Sequence, residues 1–235
     1  MSGFMESSAY FGLFLTLGTY QLARVINRRA GRELCSPLLF ATILCCLFLL
    51  GFRVDYQVYY QSGARLLDAL LTPATICLAI PLYRQFELLK KNAAAALAGC
   101  AAGVLAHMLV CVLLLLLFRM SGQEYITLLP KSITTAIGKS LSEELGGYPA
   151  VTMAAIMLTG LFGASAAPLL LRLFRVSEPL AQGLAIGAAS HAAGTSRAVE
   201  LGDVQGAASS LAIVVTGLLT ILAAPLFAQL AGMPA

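Results

Sequence analysis

The sequence predicts an all-α polytopic membrane protein. Of its 235 residues, 59% are hydrophobic and only 11% are charged, whereas soluble domains carry about a quarter charged residues. Several uncharged runs are about as long as the roughly 20 residues that cross a bilayer as a helix. Other apolar segments are interrupted by proline. Together these features predict about six to eight membrane segments, of which two are interrupted or re-entrant.

The uncharged runs give the expected spans in chain order. Two runs lie near the N-terminus and three longer runs follow. None of the five contains Asp, Glu, Lys or Arg, and His107 is the one histidine among them. Shorter or interrupted apolar segments lie between them. The uncharged runs are 7–23, 34–52, 93–118, 145–171 and 204–235. The intervening segments are 64–83, 126–142 and 179–196.

Basic residues cluster between the apolar runs, as is typical of cytoplasmic loops under the positive-inside rule. The clusters are Arg24–Arg32, Arg84–Lys91 and Arg172–Arg175. We interpret the formal charge of +4 as topological and expect no nucleic-acid partner. Placing all three clusters inside requires residues 126–147 to form a re-entrant hairpin, whereas strict repeat symmetry argues against that arrangement, so the orientation stays open.

The sequence contains no pattern typical of an enzyme, a metal site or a cofactor site. The Gly163–Ser165 segment lacks the strand-turn-helix context of a hydrolase nucleophile, and no phosphate loop is present. The six cysteines lie within or beside apolar segments without CxxC spacing, so we interpret them as small hydrophobic side chains. These cysteines are Cys35, Cys45, Cys46, Cys77, Cys100 and Cys111.

An internal repeat is visible in the two proline-containing segments. The pattern L-x-P-x-[ST]-I-x-x-A-I occurs at Leu71–Ile80 and again at Leu128–Ile137. Each copy leads into a long apolar helix that ends in Leu-Phe-Arg. We therefore predict one membrane domain, residues 1–235, in four parts. These parts are two N-terminal spans (1–60), repeat unit 1 (64–122), repeat unit 2 (123–178), and a Gly-rich polar segment with the C-terminal span (179–235).

The repeated prolines predict helix breaks, with Pro73 and Thr75 in the first copy and Pro130 in the second. Proline removes a backbone donor and frees carbonyl groups, which is tolerated at membrane depth where the freed groups are buried in protein or face water. Transporters built from repeats place their substrate where interrupted helices meet. Paired breaks therefore indicate a cavity, and two ordinary proline kinks are the alternative.

Residues near the predicted breaks are cationic and hydroxylic, which fits a small organic anion. Ionisable side chains are costly inside a membrane, so Lys131 and Arg197 stand out. Arginine and lysine both bind carboxylates, and hydroxyl groups can orient the remaining oxygens. Alternatively, the two cations reach an interface or neutralise Glu143 and Glu200. The predicted substrate-binding residues are Lys131, Ser132, Thr134, Thr135, Ser190, His191, Gly194, Thr195 and Arg197. The candidates for ion coupling are Glu200 and Asp203.

Three motifs resemble the LrgB/CidB family: PKSITT at 130–135, GGYP at 146–149, and ASHAAGTSRAVELG at 189–202. The likeness covers most of the chain and is strongest over residues 65–230. The sequence departs from the family at Ala136, where a second proline is common, and at Ser196, where alanine is common.

The resemblance implies a multi-pass protein of the bacterial inner (plasma) membrane. It also implies homo- or hetero-oligomers with a smaller LrgA/CidA-type membrane protein. Two functions are compatible with it. One is transport of small monocarboxylates of the pyruvate, glycolate, lactate or glycerate type, as in the related plastidal glycolate/glycerate translocator. The alternative is a holin/antiholin-like role that modulates murein hydrolase export and autolysis. The cationic residues favour transport.

Overall fold

The secondary structure is helical, and the described residues contain no strand, so the all-α prediction is confirmed. The computed structural model describes residues 8–30, 37–70, 73, 76–77 and 79–231. The chain divides into two compact units, residues 1–77 and residues 78–235. The predicted total of six to eight membrane segments stays a prediction.

The first unit packs two longer helices with a short turn region. Ser62 and Tyr59 tie that region to the first helix, because Gly12 N–H donates to Ser62 Oγ at 3.1 Å and the Tyr59 hydroxyl lies 2.7 Å from Thr16 Oγ1. Gly63 permits the sharp turn, since its φ of 106° disfavours any side chain. The described elements are α1 (Phe11–Ala30), α2 (Pro37–Gly51), α3 (Tyr56–Tyr59), a π-helical turn (Tyr60–Ala64) and α4 (Arg65–Ala69).

The second unit contains the long apolar helices. Its described elements are α5 (Ala79–Arg84), α6 (Phe86–Lys91), α7 (Ala93–Phe118), α8 (Gly122–Leu128), a 3-10 turn (Leu129–Ser132), α9 (Thr135–Glu144), α10 (Pro149–Leu173), α11 (Pro179–Leu201), α12 (Asp203–Ala228) and a 3-10 turn (Gln229–Ala231).

Three of the described helices, α7, α10 and α12, are long and apolar enough to cross a membrane. They correspond to the three longest uncharged runs of the sequence. Their outer faces expose large apolar side chains, including Leu116 on α7 and Leu222 on α12, each 70% exposed. Such faces suit a lipid environment and not water. The chain is therefore a membrane protein.

Three helices end in the same way, at Phe-Arg pairs. Arg53, Arg119 and Arg175 adopt the left-handed conformation, with φ of 52°, 50° and 54°. In each case the next residue donates its N–H to a carbonyl five positions earlier, which closes the helix and satisfies one of its last carbonyls. These bonds are Val54 N–Leu49 O (2.9 Å), Met120 N–Leu115 O (3.1 Å) and Val176 N–Leu171 O (2.9 Å). The ends of α7 and α10 thus agree with the Leu-Phe-Arg pattern, and the repeat boundaries stay a prediction.

Small residues allow α11 and α12 to pack closely. A Cβ atom added at Gly187 of α11 would lie 2.7 Å from Ser209 Cα of α12, and one added at Gly183 would lie 2.7 Å from Ala208 Cβ. Both distances are shorter than van der Waals contact. Close backbone approach of this kind is how membrane helices gain packing energy, because lipid is as apolar as their side chains.

A buried hydroxyl cluster joins α10 to the region around Pro130. Thr152 Oγ1 lies 2.8 Å from the Thr127 carbonyl oxygen and 2.7 Å from Ser142 Oγ. Tyr148 N–H donates to Thr127 Oγ1 at 2.9 Å. Thr152 is fully buried, so its hydroxyl holds α8, α9 and α10 together where water cannot replace it.

We expect Gly187→Ala to destabilise the protein, because the added methyl group would collide with α12. The free energy of unfolding should fall by about 1–3 kcal/mol. Gly99→Ala is the matched control, since a Cβ added there meets nothing within 4 Å and alanine favours helix by about 1 kcal/mol. Unfolding of both variants in detergent tests this, and equal stabilities would contradict the close packing.

We expect Thr152→Val, which keeps the shape of the side chain, to lower the free energy of unfolding by about 1–3 kcal/mol. The cause is the loss of hydrogen bonds to Thr127 and Ser142. Ser140→Ala is the control, because Ser140 is exposed and bonds to Ala136 O of its own helix at 3.3 Å. The same unfolding assay applies, and a neutral Thr152→Val variant would show that the cluster is dispensable.

Candidate functional site

A cavity of about 1000 Å³ lies between α7, α10, α11 and the 3-10 turn at Leu129–Ser132. From Asn92 to Val110 its lining follows α7 for about 27 Å at 1.5 Å per residue, which approaches the thickness of a bilayer core. Small side chains leave the space open on α7 and α11. These are Ala95, Gly99, Gly103 and Ala106 on α7, and Ala181, Ala185, Ala188 and Ala189 on α11.

Lys131 brings a positive charge to this mainly apolar cavity. It is half-buried and lines the cavity together with Ser132. No ion pair among the described residues involves Lys131, and Glu143, one of its possible partners by sequence, instead lies 3.7 Å from Lys139. Lys131 therefore lines the cavity without an ion-pair partner among the described residues.

The backbone at Pro130 explains why Lys131 reaches this position. Pro130 is the second residue of the 3-10 turn, and Ile133 after the turn is extended, with φ of −136° and ψ of −178°. Leu129 and Pro130 are fully buried, which anchors the turn in the protein interior. Helix α8 approaches the turn from Ser121, whose hydroxyl accepts from Glu124 N–H while the Glu124 carboxylate accepts from Ser121 N–H at 2.7 Å.

A second interruption, at His191, meets the first. His191 has φ of 44° and ψ of −132° within α11, and it is only 4% exposed. Helix α11 contacts the 3-10 turn at Leu129–Ser132, but His191 itself does not belong to the described lining of the cavity. Glycines of α10 make room for it, because a Cβ added at Gly163 would collide with Ser190 Oγ and one added at Gly160 would lie 3.5 Å from the Ser190 carbonyl oxygen. The sequence indicated an unusual polar segment here but not this break.

The structure adds His107, which sequence reasoning did not include in the site. His107 lies on α7, lines the cavity, and places Nε2 3.0 Å from the carbonyl oxygen of Leu129. The available signal was one ionisable side chain in an otherwise uncharged span, which is a reason to suspect function.

Several predicted site residues instead have structural partners. Thr195 Oγ1 donates to His191 O at 2.8 Å and lies 2.7 Å from Ser209 Oγ. Gly194 packs against Ser190 and Ile186. These contacts stabilise α11 on both sides of its break.

Thr134 and Thr135 lie where α9 begins. Thr134 precedes the first turn without a side-chain capping bond, and Thr135 is exposed. Neither belongs to the described lining of the cavity, in contrast to the neighbouring Ser132.

Arg197 pairs with Glu200, as their spacing allows. Arg197 Nη1 lies 2.6 Å from Glu200 Oε2, and the side chains are 32% and 64% exposed. Asp203 is exposed in the first turn of α12. None of the three belongs to the described lining of the cavity. The described part of the chain thus places Lys131 and Ser132 in the cavity lining and leaves Arg197 in a local ion pair. Ser190 and His191 follow the lining residue Ala189 at the interruption of α11 but do not belong to the described lining.

The first predicted break lies largely outside the described residues. Pro73 is helical and exposed, whereas Thr75 falls outside the described ranges. The pairing of this break with the one at Pro130 therefore stays a prediction.

Comparison with known proteins gives one consistent result. The model of the LrgB-like family matches residues 16–230. "Uncharacterized protein YwbG" of Bacillus subtilis (strain 168) is 37% identical over 213 residues, covering 91% of this chain and 94% of that protein. "Antiholin-like protein LrgB" of Bacillus cereus (strain B4264) is 33% identical over 224 residues, covering 95% and 97%. No solved structure matches significantly. With both its family match and its relatives extending over most of its length, the chain belongs to the LrgB-like family.

Proposed function

We propose that this chain carries small monocarboxylates across the bacterial inner membrane. The observation that supports this most directly is Lys131, a cation that lines a cavity between apolar helices and has no ion-pair partner among the described residues. A fixed positive charge in such surroundings attracts an anion more strongly than it would in water, because screening is weak there.

The cavity suits a small solute with one charged end. Its volume of about 1000 Å³ is ample for an acid of two or three carbons. The Ser132 and Thr159 side chains add hydroxyl groups to an otherwise apolar lining. Pyruvate, glycolate, lactate and glycerate combine a carboxylate with a second polar oxygen and are the substrates we propose.

One acidic residue, Glu178, also lines the cavity. It precedes α11, about 16 Å along that helix from Ala189 at 1.5 Å per residue. Its carboxylate accepts from Ala181 N–H at 2.6 Å, an N-terminal capping contact that also compensates the helix dipole. Glu178 and Ala189 are therefore at opposite ends of the α11 part of the lining, and Glu178 is held by its own helix.

The predicted site also includes residues of α11. Ser190, His191, Gly194 and Thr195 shape the interruption of α11, and we propose that it moves or reshapes during transport. We assign Arg197 a lesser role, because Glu200 neutralises it locally. Glu200 and Asp203 remain our candidates for ion coupling.

The second candidate function is antiholin-like modulation of murein hydrolase export and autolysis. The names of the relatives favour it, since several at 33% identity are called "Antiholin-like protein LrgB". These names support this function more directly than they support carboxylate transport. In either case we propose a smaller LrgA/CidA-type membrane protein as partner, for which the exposed apolar faces of the long helices offer docking area.

We expect Lys131→Gln to lower the initial rate of pyruvate or glycolate uptake into proteoliposomes at least ten-fold, the effect of losing one charge-assisted hydrogen bond. Lys139→Gln is the matched control, because Lys139 is exposed, pairs with Glu143 and does not line the described cavity. Arg197→Ala should reduce uptake less than Lys131→Gln does. Absence of uptake by the wild-type chain, with and without its partner subunit, would refute transport.

Autolysis assays test how the two functions relate. We expect that, in cells lacking their own LrgB-type protein, Lys131→Gln abolishes any effect of the chain on the autolysis rate together with uptake, since both would then depend on one cavity. An autolysis effect that persists in a transport-deficient Lys131→Gln variant would instead show an antiholin-like role that is independent of the cavity.

A further inference from the structure

Helix α11 reverses its direction at His191. A Cβ atom added at Gly194 would lie 2.9 Å from the carbonyl oxygen of Ile186, whereas a straight helix would separate these two positions by about 12 Å at 1.5 Å per residue. The segments on either side of the interruption, residues 179–190 and 192–201, therefore lie against each other. They are the two arms of a hairpin.

The contacts of the two arms with α12 agree with this reversal. In the first arm, later residues face later residues of α12, so the two run parallel. In the second arm the order is opposite, because Thr195 Oγ1 lies 2.7 Å from Ser209 Oγ while Val199 packs against Gly206. The pairs of the first arm are Gly183 with Gln205 and Gly187 with Ser209. A straight α11 could not run in both directions along α12.

Residues 122–144 form another hairpin, with its tip at the turn around Pro130. A Cβ atom added at Gly138 of α9 would lie 3.3 Å from the Pro130 carbonyl oxygen. At the other end of the hairpin, Gln123 Nε2 donates to the Gly146 carbonyl oxygen at 3.0 Å. Helix α8 with its 3-10 turn is one arm, and α9 is the other.

The arms of both hairpins are too short to cross a bilayer. The longest helical arm, residues 179–190, extends about 18 Å at 1.5 Å per residue, against about 30 Å of hydrocarbon. Both tips lie near the middle of long helices. His107, which bonds to Leu129 of the first tip, is close to the centre of α7, and Gly163, which contacts Ser190 of the second tip, is close to the centre of α10.

The two hairpins start from opposite ends of the long helices. The first hairpin follows the C-terminal end of α7 and leads into the start of α10, which Tyr148 N–H ties to Thr127 Oγ1 at 2.9 Å. The second hairpin follows the C-terminal end of α10 and leads into α12. The far end of α12 returns to the first hairpin, where the Tyr125 hydroxyl donates to the Phe227 carbonyl oxygen at 3.1 Å. Both α10 and α12 thus extend from the base of one hairpin to the base of the other.

Lysine and arginine are concentrated on the side from which the second hairpin starts. This side also contains the start of α7 and the end of α10. Under the positive-inside rule it is the cytoplasmic side. The described basic residues there are Arg84, Lys90, Lys91, Arg172, Arg175 and Arg197, and those at the base of the first hairpin are Arg119 and Lys139.

The cavity extends from this basic side to the tip of the first hairpin. Asn92 and Glu178, the residues that precede α7 and α11, line one end of it. Glu178 is exposed. Lys131 and Ser132 line the other end. A solute entering beside Glu178 therefore reaches Lys131 through the cavity.

Packed apolar side chains lie between the first tip and the opposite side. Tyr125, Ile126 and Leu129 of the first hairpin are fully buried in one cluster with Met108 of α7. The cavity is thus open toward the basic side and closed toward the other.

We propose that residues 122–144 and 179–201 are re-entrant hairpins inserted from opposite faces of the membrane, and that the cavity admits the transported anion to Lys131 from the cytoplasm. The admission of the anion rests on the transport function proposed above, whereas the insertion of the hairpins does not.

Single cysteines in the full-length chain, labelled with a membrane-impermeant maleimide, test the arrangement. The parent chain retains Cys100 and Cys111, which are buried, and its own labelling is subtracted. Alanine replaces the other four cysteines, which are Cys35, Cys45, Cys46 and Cys77.

Four exposed positions mark the bases of the hairpins. Right-side-out vesicles should label both ends of the first hairpin, and inside-out vesicles should label both ends of the second. The variants are Ser121→Cys and Glu144→Cys for the first hairpin, and Ser177→Cys and Asp203→Cys for the second. If the two ends of one hairpin are labelled from different sides, that segment crosses the membrane and the proposal is refuted. A fully reversed pattern would refute the cytoplasmic access.

Gly99→Cys and Ser132→Cys test the access through the cavity, which both residues line. Inside-out vesicles should label both at least about ten-fold faster than Leu109→Cys, because the reactive thiolate is disfavoured in lipid. Leu109 is the matched control, since it is 60% exposed on α7 but does not belong to the described lining. Labelling of the two cavity positions from right-side-out vesicles alone would refute the cytoplasmic access. Gly99→Cys suffices if Ser132→Cys does not fold, because a Cβ atom there meets nothing within 4 Å.

Protection by substrate distinguishes this proposal from the transport function. Saturating sodium pyruvate or sodium glycolate should slow the labelling of Ser132→Cys about ten-fold, since only the unoccupied chain reacts, and should leave Ser177→Cys unchanged. If the labelled sides are as expected but neither acid protects, binding of these anions at Lys131 is refuted and the hairpins stand. If either acid protects Ser132→Cys while the two ends of a hairpin are labelled from different sides, the hairpins are refuted and transport stands.

Discussion

The interaction on which the rest of the site depends is the bond from His107 Nε2 to the Leu129 carbonyl oxygen. A chain that leaves helical geometry between apolar helices must satisfy the backbone groups it frees, since no water is available there to do so. At Pro130 the chain changes from α-helical to 3-10 geometry and becomes extended at Ile133, and α7 supplies an additional donor to the Leu129 carbonyl. With that bond in place, the turn can hold Lys131 at the cavity.

The packing of helices in the second unit also helps to form the cavity that Lys131 lines. Where α11 meets α12 and α10, glycines at 183, 187, 160 and 163 allow the backbones to approach closely. Where α11 and α7 face the cavity, equally small alanines and glycines leave space. Small residues therefore have opposite effects on the two sides of α11, and the fold uses close packing on one side to keep an opening on the other.

The long helices could be predicted from sequence because the features that define them lie within each segment. Length and absence of charge suffice to define α7, α10 and α12 as membrane helices. Proline likewise marked the turn at Pro130. The interruption at His191 has no such local signal, since no proline lies near it and the glycines that pack against this region are on another helix. Tertiary contacts decide such a position, and periodicity cannot reveal them.

The sequence predicts that the candidate site is cationic, but it does not predict which side chains form it. Lys131 was identified because a cation beside a proline break is rarely incidental in an apolar segment. Arg197 is an equally good candidate by sequence, because its planar donor fork suits a carboxylate, yet Glu200 lies three residues later on the same helix and pairs with it. His107, in contrast, has no polar neighbour in sequence, and its partner is a backbone carbonyl that every residue possesses. Around a helix break, the side chains that matter are thus partly those that hydrogen-bond to backbone groups of the break. Such pairs become apparent only in the folded structure.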